Sequence, residues 1–110
     1  MLGRVLRIAN YEVVAFGSGE EFLSSLAMRV PACVILDVHM PGLSGFDAAA
    51  KLRCVHREVP IVFITASDDA TLDNAATTAG GSVLLRKPFP ADTLLTEISG
   101  ALLRRSAAAP

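Results

Sequence analysis

Tryptophan is absent from this 110-residue chain, tyrosine occurs once, cysteine twice, and aromatic residues make up only 5%. Such a chain has no aromatic platform on which to stack the bases of a single nucleic-acid strand. Charge is also scarce, at 19%, and ten Lys+Arg against eleven Asp+Glu leave a formal net charge of −1. That balance provides no electrostatic footprint for nucleic acid or an anionic membrane surface. No apolar run reaches the ~18–20 residues of a membrane span, and Met1 to Val5 opens no secretory signal. Cys33 and Cys54 match no metal-ligand spacing and read as reduced structural residues. Together these absences predict a cytoplasmic protein that crosses no membrane and does not bind nucleic acid directly.

What is present is aliphatic. Hydrophobic residues make up 52% of the chain, which excludes intrinsic disorder. The length suits a single domain, and one of this size buries roughly two-thirds of its unfolded surface without disulfides or metal.

Turn and periodicity signals cut the chain at short intervals. Leu2 to Ala9 has Leu2, Val5, Leu6 and Ala9 on one helical face. Glu12 to Phe16 is a β-branched apolar run that predicts a strand. Ser18, with Glu21 three residues on, predicts a capped helix whose apolar stripe is Phe22, Leu23, Leu26 and Met28. Ala32 to Val38 is an apolar run broken only by Asp37, as in a parallel strand buried on both faces. Met40-Pro41-Gly42 marks a turn, and Ser44 caps a helix from Gly45 to about Val55. Pro60 to Thr65 is a second buried strand. A helix capped by Ser67 or Asp68 runs to Ala79 and stops at Gly80-Gly81. Ser82 to Arg86 is a short strand, and Pro90 opens a last helix with Leu94, Leu95, Ile98, Ala101 and Leu102 on one face. From Arg104 the tail reads as fraying. Strands alternating with helices predict an α/β fold, a doubly wound parallel sheet with helices on both faces.

Within that fold Asp37 stands at the carboxyl end of the most hydrophobic strand, where open α/β sheets bind ligands. Thr65 ends the next strand, followed by Ala66. Lys87 ends the last one. A carboxylate, a hydroxyl and an ammonium would converge on one rim.

The stretch from Val34 to Gly45 (Val-Ile-Leu-Asp-Val-His-Met-Pro-Gly-Leu-Ser-Gly) resembles the phosphoacceptor segment of bacterial two-component response-regulator receiver domains. Ile61 to Ala66 and Arg86-Lys87-Pro88-Phe89 resemble that family's two other signature segments, in its order and at its spacing. The resemblance implies a flavodoxin-like receiver fold over residues 1–104, with 105–110 as a flexible tail. It implies that Asp37 is a phosphoacceptor for a histidine kinase or phosphotransfer protein. Lys87 and Thr65 would bind phosphoryl oxygens and Ala66 would offer its backbone N–H. Mg²⁺ would bind Asp37, the His39 carbonyl oxygen and further carboxylates. The Lys87–Pro88 bond would be cis, as is usual in the family. An output partner would dock on the 68–104 face, and a homodimer is open to such a module.

Receivers begin with a strand that ends in an acidic pair, and this chain starts in the helix that follows. The expectation is therefore an N-terminally truncated receiver, lacking its first strand, with weak Mg²⁺ binding and impaired phosphorylation. In the family's strand order, 2-1-3-4-5, the gap falls between Glu12–Phe16 and Ala32–Val38. An upstream segment, a partner's strand, or closure of one neighbour onto the other would fill it. With no acidic pair nearby, an Asp37–Lys87 ion pair is expected. Leu84 stands where the family often carries an aromatic switch residue.

Two other classes compete with a non-enzymatic, phosphorylated receiver. A pseudo-receiver would bind partners without phosphorylation. An aspartyl-nucleophile phosphatase would want a second acid two residues after Asp37, where His39 stands. Asp68 and Asp69 read as helix-capping acids, His39 as an exposed loop residue, and His56 as a solvated helix end. Gly17-Ser18-Gly19 opens a helix as a dinucleotide fingerprint does, but Phe22 replaces the third glycine.

Overall fold

Three runs of β-branched and aliphatic residues form the parallel sheet: β1 (Val34–Asp37), β2 (Ile61–Thr65) and β3 (Val83–Arg86), in the order β1-β2-β3. The computed structural model describes residues 2–40, 42–80 and 83–108, excepting the side chains of residues 2, 3 and 105–108. Val34 pairs with Ile61 and Val62 with Val83, and both ladders continue in register to Asp37↔Ile64 and Thr65↔Arg86. Helices α1 (Leu2–Ile8), α2 (Gly19–Ser25), α3 (Gly45–Val55), α4 (Thr71–Thr78) and α5 (Ala91–Ala108) surround it. Among the described residues no helix is long and apolar enough to cross a membrane.

Successive strand residues face opposite sides of the sheet, so the apolar runs divide between two cores. Val34, Leu36, Ile61 and Phe63 join Phe22 of α2, Ala48, Ala49 and Leu52 of α3, and Ala76 of α4. Val62, Ile64 and Leu85 join Leu6 of α1 and Leu94 and Ile98 of α5. Every residue of β2 is buried. Both faces are covered, and that is why these strands read as continuous apolar runs.

The Glu12–Phe16 strand does not form: the segment has no regular secondary structure and belongs to no ladder. Val34 and Val38 donate to Pro60 O and Ile64 O, each at 2.9 Å. In a parallel ladder alternate residues bond to opposite sides, so Ile35 and Asp37 turn their backbone groups the other way. That edge borders an open groove of about 860 Å³, lined by Tyr11–Phe16 on one side and Val30–Asp37 on the other. Without a strand in hydrogen-bonding range, β propensity alone gives Glu12–Phe16 nothing to pair with.

Smaller departures have local causes. Helix α2 ends at Ser25, so Met28 lies beyond it, 90% exposed rather than in the apolar stripe. Ser18 accepts the Glu21 N–H, while the Glu21 carboxylate reaches Gly17 N rather than Ser18 N, so the expected capping box is only half made. At Ser44 the box with Asp47 is complete. Helix α4 starts at Thr71, with no side-chain cap from Ser67 or Asp68. Helix α5 continues through Ala108 past the expected fraying point, as strong helix formers allow. Gly42 has the positive φ of a turn, at 75°, and Gly80 does likewise after α4, at 85°. Pro41, Gly81 and Ser82 lie outside the described residues, as do the last two residues of the expected tail.

Candidate functional site

At the carboxyl end of β1 the chain must leave the sheet without displacing its last side chain. Asp37 does this by accepting the His39 N–H on Oδ1 at 3.0 Å, a side-chain-to-backbone turn typical of Asp. The loop then returns so that Gly45 N–H donates to Val38 O at 3.0 Å. Gly45 is required there: any Cβ would collide with the Asp37 carbonyl oxygen. The first turn of α3 is thereby pressed against the backbone of Asp37.

The other Asp37 oxygen, Oδ2, accepts from Lys87 Nζ at 3.2 Å, the expected ion pair. The side chains of Asp37 and Lys87 are 34% and 43% exposed, so the pair is open to solvent. A pair this exposed contributes about 0–1 kcal/mol to stability, so its chief effect is placement. The Lys87–Pro88 bond is cis. Thr65 is fully buried. Its hydroxyl accepts the Ser67 N–H at 3.1 Å, and its carbonyl accepts the Lys87 N–H at 2.7 Å. Asp37 and Lys87 thus meet directly, whereas Thr65 joins them through backbone and makes no hydrogen bond to the carboxylate. Ala66 is exposed, and among the described residues nothing engages its N–H.

A magnesium ion takes oxygen ligands in a near-octahedral set, commonly including one or two carboxylates. Among the described residues no three His, Cys, Asp or Glu side chains converge. Asp37 has both oxygens engaged, by His39 N–H and by Lys87. Together with the His39 carbonyl, this donor set does not by itself make a magnesium site.

Around the rim runs a chain of short turns. Asp69 N–H donates to Ser67 Oγ at 3.2 Å, and Thr71 donates to Asp69 Oδ1 from both N and Oγ1, at 2.9 and 2.7 Å. These bonds compete with helix formation and delay α4 to Thr71. They also hold the Asp69 carboxyl below its ordinary range, chiefly through the Thr71 hydroxyl. Arg86 grips Asp73 with both terminal nitrogens, at 3.2 and 2.9 Å, and donates to Asp69 O at 2.8 Å. Its hydrogen bonds lower the Asp73 carboxyl pKa, and Asp73 raises that of Arg86.

His39 is exposed, as expected. His56 is half-buried at the end of α3 rather than solvated, with Nδ1 3.9 Å from Glu58 Oε1. At the α2 entrance the Glu21 carboxylate takes the Gly17 N–H that a pyrophosphate would need. Leu84 is half-buried against the α3–α4 core. Sequence reasoning passed over Gly45 and Arg86. A Ser-Gly step after the turn was the available signal for the first. The partners of Arg86 lie 13 and 17 residues away and left no local mark.

A family model described as the response regulator receiver domain matches residues 1–99. Nodulation protein W of Bradyrhizobium diazoefficiens is 39% identical over 103 residues, 94% of this chain and 45% of that protein. Response regulator protein TmoT of Ectopseudomonas mendocina is 35% identical over 101 residues, 92% of this chain and 46% of the relative. A solved response regulator from Chloroflexus aurantiacus superposes with a TM-score of 0.90 at 35% identity, over 94% of this chain and 87% of its own. A CheY-like receiver domain protein of Methanospirillum hungatei reaches 0.92 at 18% identity, over 98% and 86%, a likeness of fold. The chain spans about half the length of the curated relatives it matches.

Proposed function

The chain belongs to the response regulator receiver family, and on that footing we propose that Asp37 is its phosphoacceptor, serving a histidine kinase or phosphotransfer protein. Receiver domains are generally non-enzymatic signal transducers, and response regulators take phosphoryl groups from histidine kinases and pass the signal to output domains. The observation that carries the proposal is the half-exposed Asp37–Lys87 pair at 3.2 Å on the carboxyl rim of the sheet. A carboxylate oxygen of Asp37 attacks phosphorus and the O–P bond of an acyl phosphate forms. The donor's N–P bond breaks, its electron pair stays on the imidazole nitrogen, and that nitrogen takes up a proton. Phosphoryl transfer needs positioned donors and cations more than covalent help. Lys87 supplies the cation, Ala66 an N–H, and Thr65 a hydroxyl once its loop adjusts.

Receiver domains bind Mg²⁺ generally. Among the described residues the His39 carbonyl and one already engaged carboxylate would be the donors to the ion, and slow transfer is the expected outcome. The receiver unit is residues 1–104, cytoplasmic, and its output partner or second copy docks on the 68–104 face. The test is incubation with acetyl phosphate, with and without Mg²⁺, read by intact mass. One slowly formed phosphoryl adduct, abolished in Asp37→Asn, is expected. Fast, complete phosphorylation would refute the impairment. No adduct at any donor concentration would instead favour a phosphorylation-independent interaction module, a reading to which the single-carboxylate geometry also lends weight.

A further inference from the structure

Arg86 and Lys87 are adjacent, yet they serve different groups. Lys87 meets the Asp37 carboxylate, while Arg86 turns to the loop between β2 and α4. That loop begins with Ala66, whose N–H the proposed function assigns to the phosphoryl group. Four hydrogen bonds hold it: Ser67 N–H to Thr65 Oγ1, Asp69 N–H to Ser67 Oγ, Thr71 N–H to Asp69 Oδ1, and Arg86 Nη2 to Asp69 O. The far end is fixed by the two-pronged bond from Arg86 to Asp73 in the first turn of α4. One guanidinium therefore joins the end of β3, which Lys87 directly follows, to the loop that carries Ala66.

We propose that Arg86 is a positioning residue for phosphoryl transfer, clamping the Ala66–Ala70 loop to the end of β3 so that Ala66 N–H and Lys87 Nζ approach Asp37 as one unit. The inference rests on the reading of Asp37 as phosphoacceptor. Arg86 itself touches no reacting atom. Its planar fork suits the task, because it fixes direction as well as distance to the carboxylate and leaves an N–H for the carbonyl. A lysine would keep the charge and lose the fork. An exposed pair of this kind adds little to global stability, whereas a misplacement of ~1 Å in a reacting group can slow a reaction by about 10²-fold. The clamp should therefore act on rate and leave the melting temperature nearly unchanged.

The experiment compares the whole chain with Arg86→Ala, Arg86→Lys and Asp73→Asn, using acetyl phosphate with Mg²⁺ and following the Asp37 adduct by mass. Arg86→Ala and Arg86→Lys are both expected to slow adduct formation at least ~10-fold, with the saturated rate falling rather than the half-saturating donor concentration rising. Asp73→Asn, which keeps the bond to Asp69 O, is expected to fall between them and wild type. Amide exchange supplies a second readout: Ser67, Asp69 and Thr71 should exchange faster in Arg86→Ala while Ile61–Thr65 stay protected. A wild-type rate in Arg86→Ala, full activity in Arg86→Lys, or exchange that rises equally throughout β2 would each overturn the clamp. If the unsubstituted chain takes no phosphoryl group, the reading of Asp37 fails. Amide exchange alone then decides whether Arg86 holds the loop.

Discussion

Replacing Gly45 by alanine tests the link between the fold and the acidic rim. Gly45 opens α3, is buried, and donates its N–H to Val38 O. A Cβ there would strike the Asp37 carbonyl oxygen and stand 2.9 Å from Asp37 C and 3.0 Å from Val38 Cα. All three obstacles are backbone atoms at the end of β1, so none can swing aside as a side chain could. Alanine brings a helix-propensity gain of at most about 1 kcal/mol, and less in a first turn. Overpacking a tight site costs about 1–3 kcal/mol, so the clash wins and the net loss is about 1–2 kcal/mol. For a domain of this size each kcal/mol moves the melting temperature by about 4–8 °C. Gly100→Ala, inside α5, is the matched control. Its nearest obstacle is Arg104 Nη1 at 3.2 Å, the free end of an exposed side chain. That variant should gain about 0.5–1 kcal/mol. Urea and thermal melts by circular dichroism measure both, with an unchanged m-value confirming a comparable unfolded state. A Gly45→Ala protein as stable as wild type would refute the argument, as would the two variants shifting in the same direction.

Arg53 donates to His56 O, Arg57 O, Val59 O and Gly80 O, tying the end of α3 to the turn after α4. Arg53→Met keeps the stem but orphans the partly buried His56 and Val59 carbonyls, and a loss of about 1–2 kcal/mol in urea melts is expected. In native-state amide exchange Val34 and Val38 should be strongly protected and Ile35 and Asp37 weakly, because the first two donate to Pro60 O and Ile64 O while the other two face the groove edge. Equal protection at Ile35 would mean that the groove edge is closed. The Asp73 carboxyl is depressed by Arg86. Its bond to Arg86 is thus fully present above the free Asp value of about 3.9 and is lost as the pH falls through the lower folded value. Carboxyl NMR should place the Asp73 midpoint below that of free Asp, and Arg86→Ala should return it upward.

The three strands and the rim residues Asp37, Thr65 and Lys87 were legible because a parallel sheet covered on both faces writes itself as short apolar runs. The break in polarity then falls where the strand leaves the sheet. Ser44 and its box with Asp47 were legible because a cap is made within four residues. Glu12–Phe16 was misread for the opposite reason. Its composition is that of a strand, but a strand is a relation between two segments, and the groove holds none beside it. The start of α4 was misread because Ser67, Asp69 and Thr71 satisfy backbone and hydroxyl donors locally, and a cap signal cannot reveal which competing turn prevails.

The arginines mark the limit more sharply. In composition Arg53 and Arg86 count only toward a near-zero net charge, yet each joins elements far apart in the chain. The Arg86-Lys87 pair shows why a motif reader sees one and misses the other. Lys87 carries a point charge to the Asp37 carboxylate, a role that the motif around it advertises. Arg86 needs two oxygens of Asp73 and the Asp69 carbonyl at once, and only folding of α4 against β3 assembles that set. Alternation along β3 puts Arg86 on the same face as Leu84, toward α4, while Lys87 lies just beyond the strand and meets the carboxylate. The residue before the lysine is where a receiver-like rim can be coupled to α4 without intruding on its chemistry.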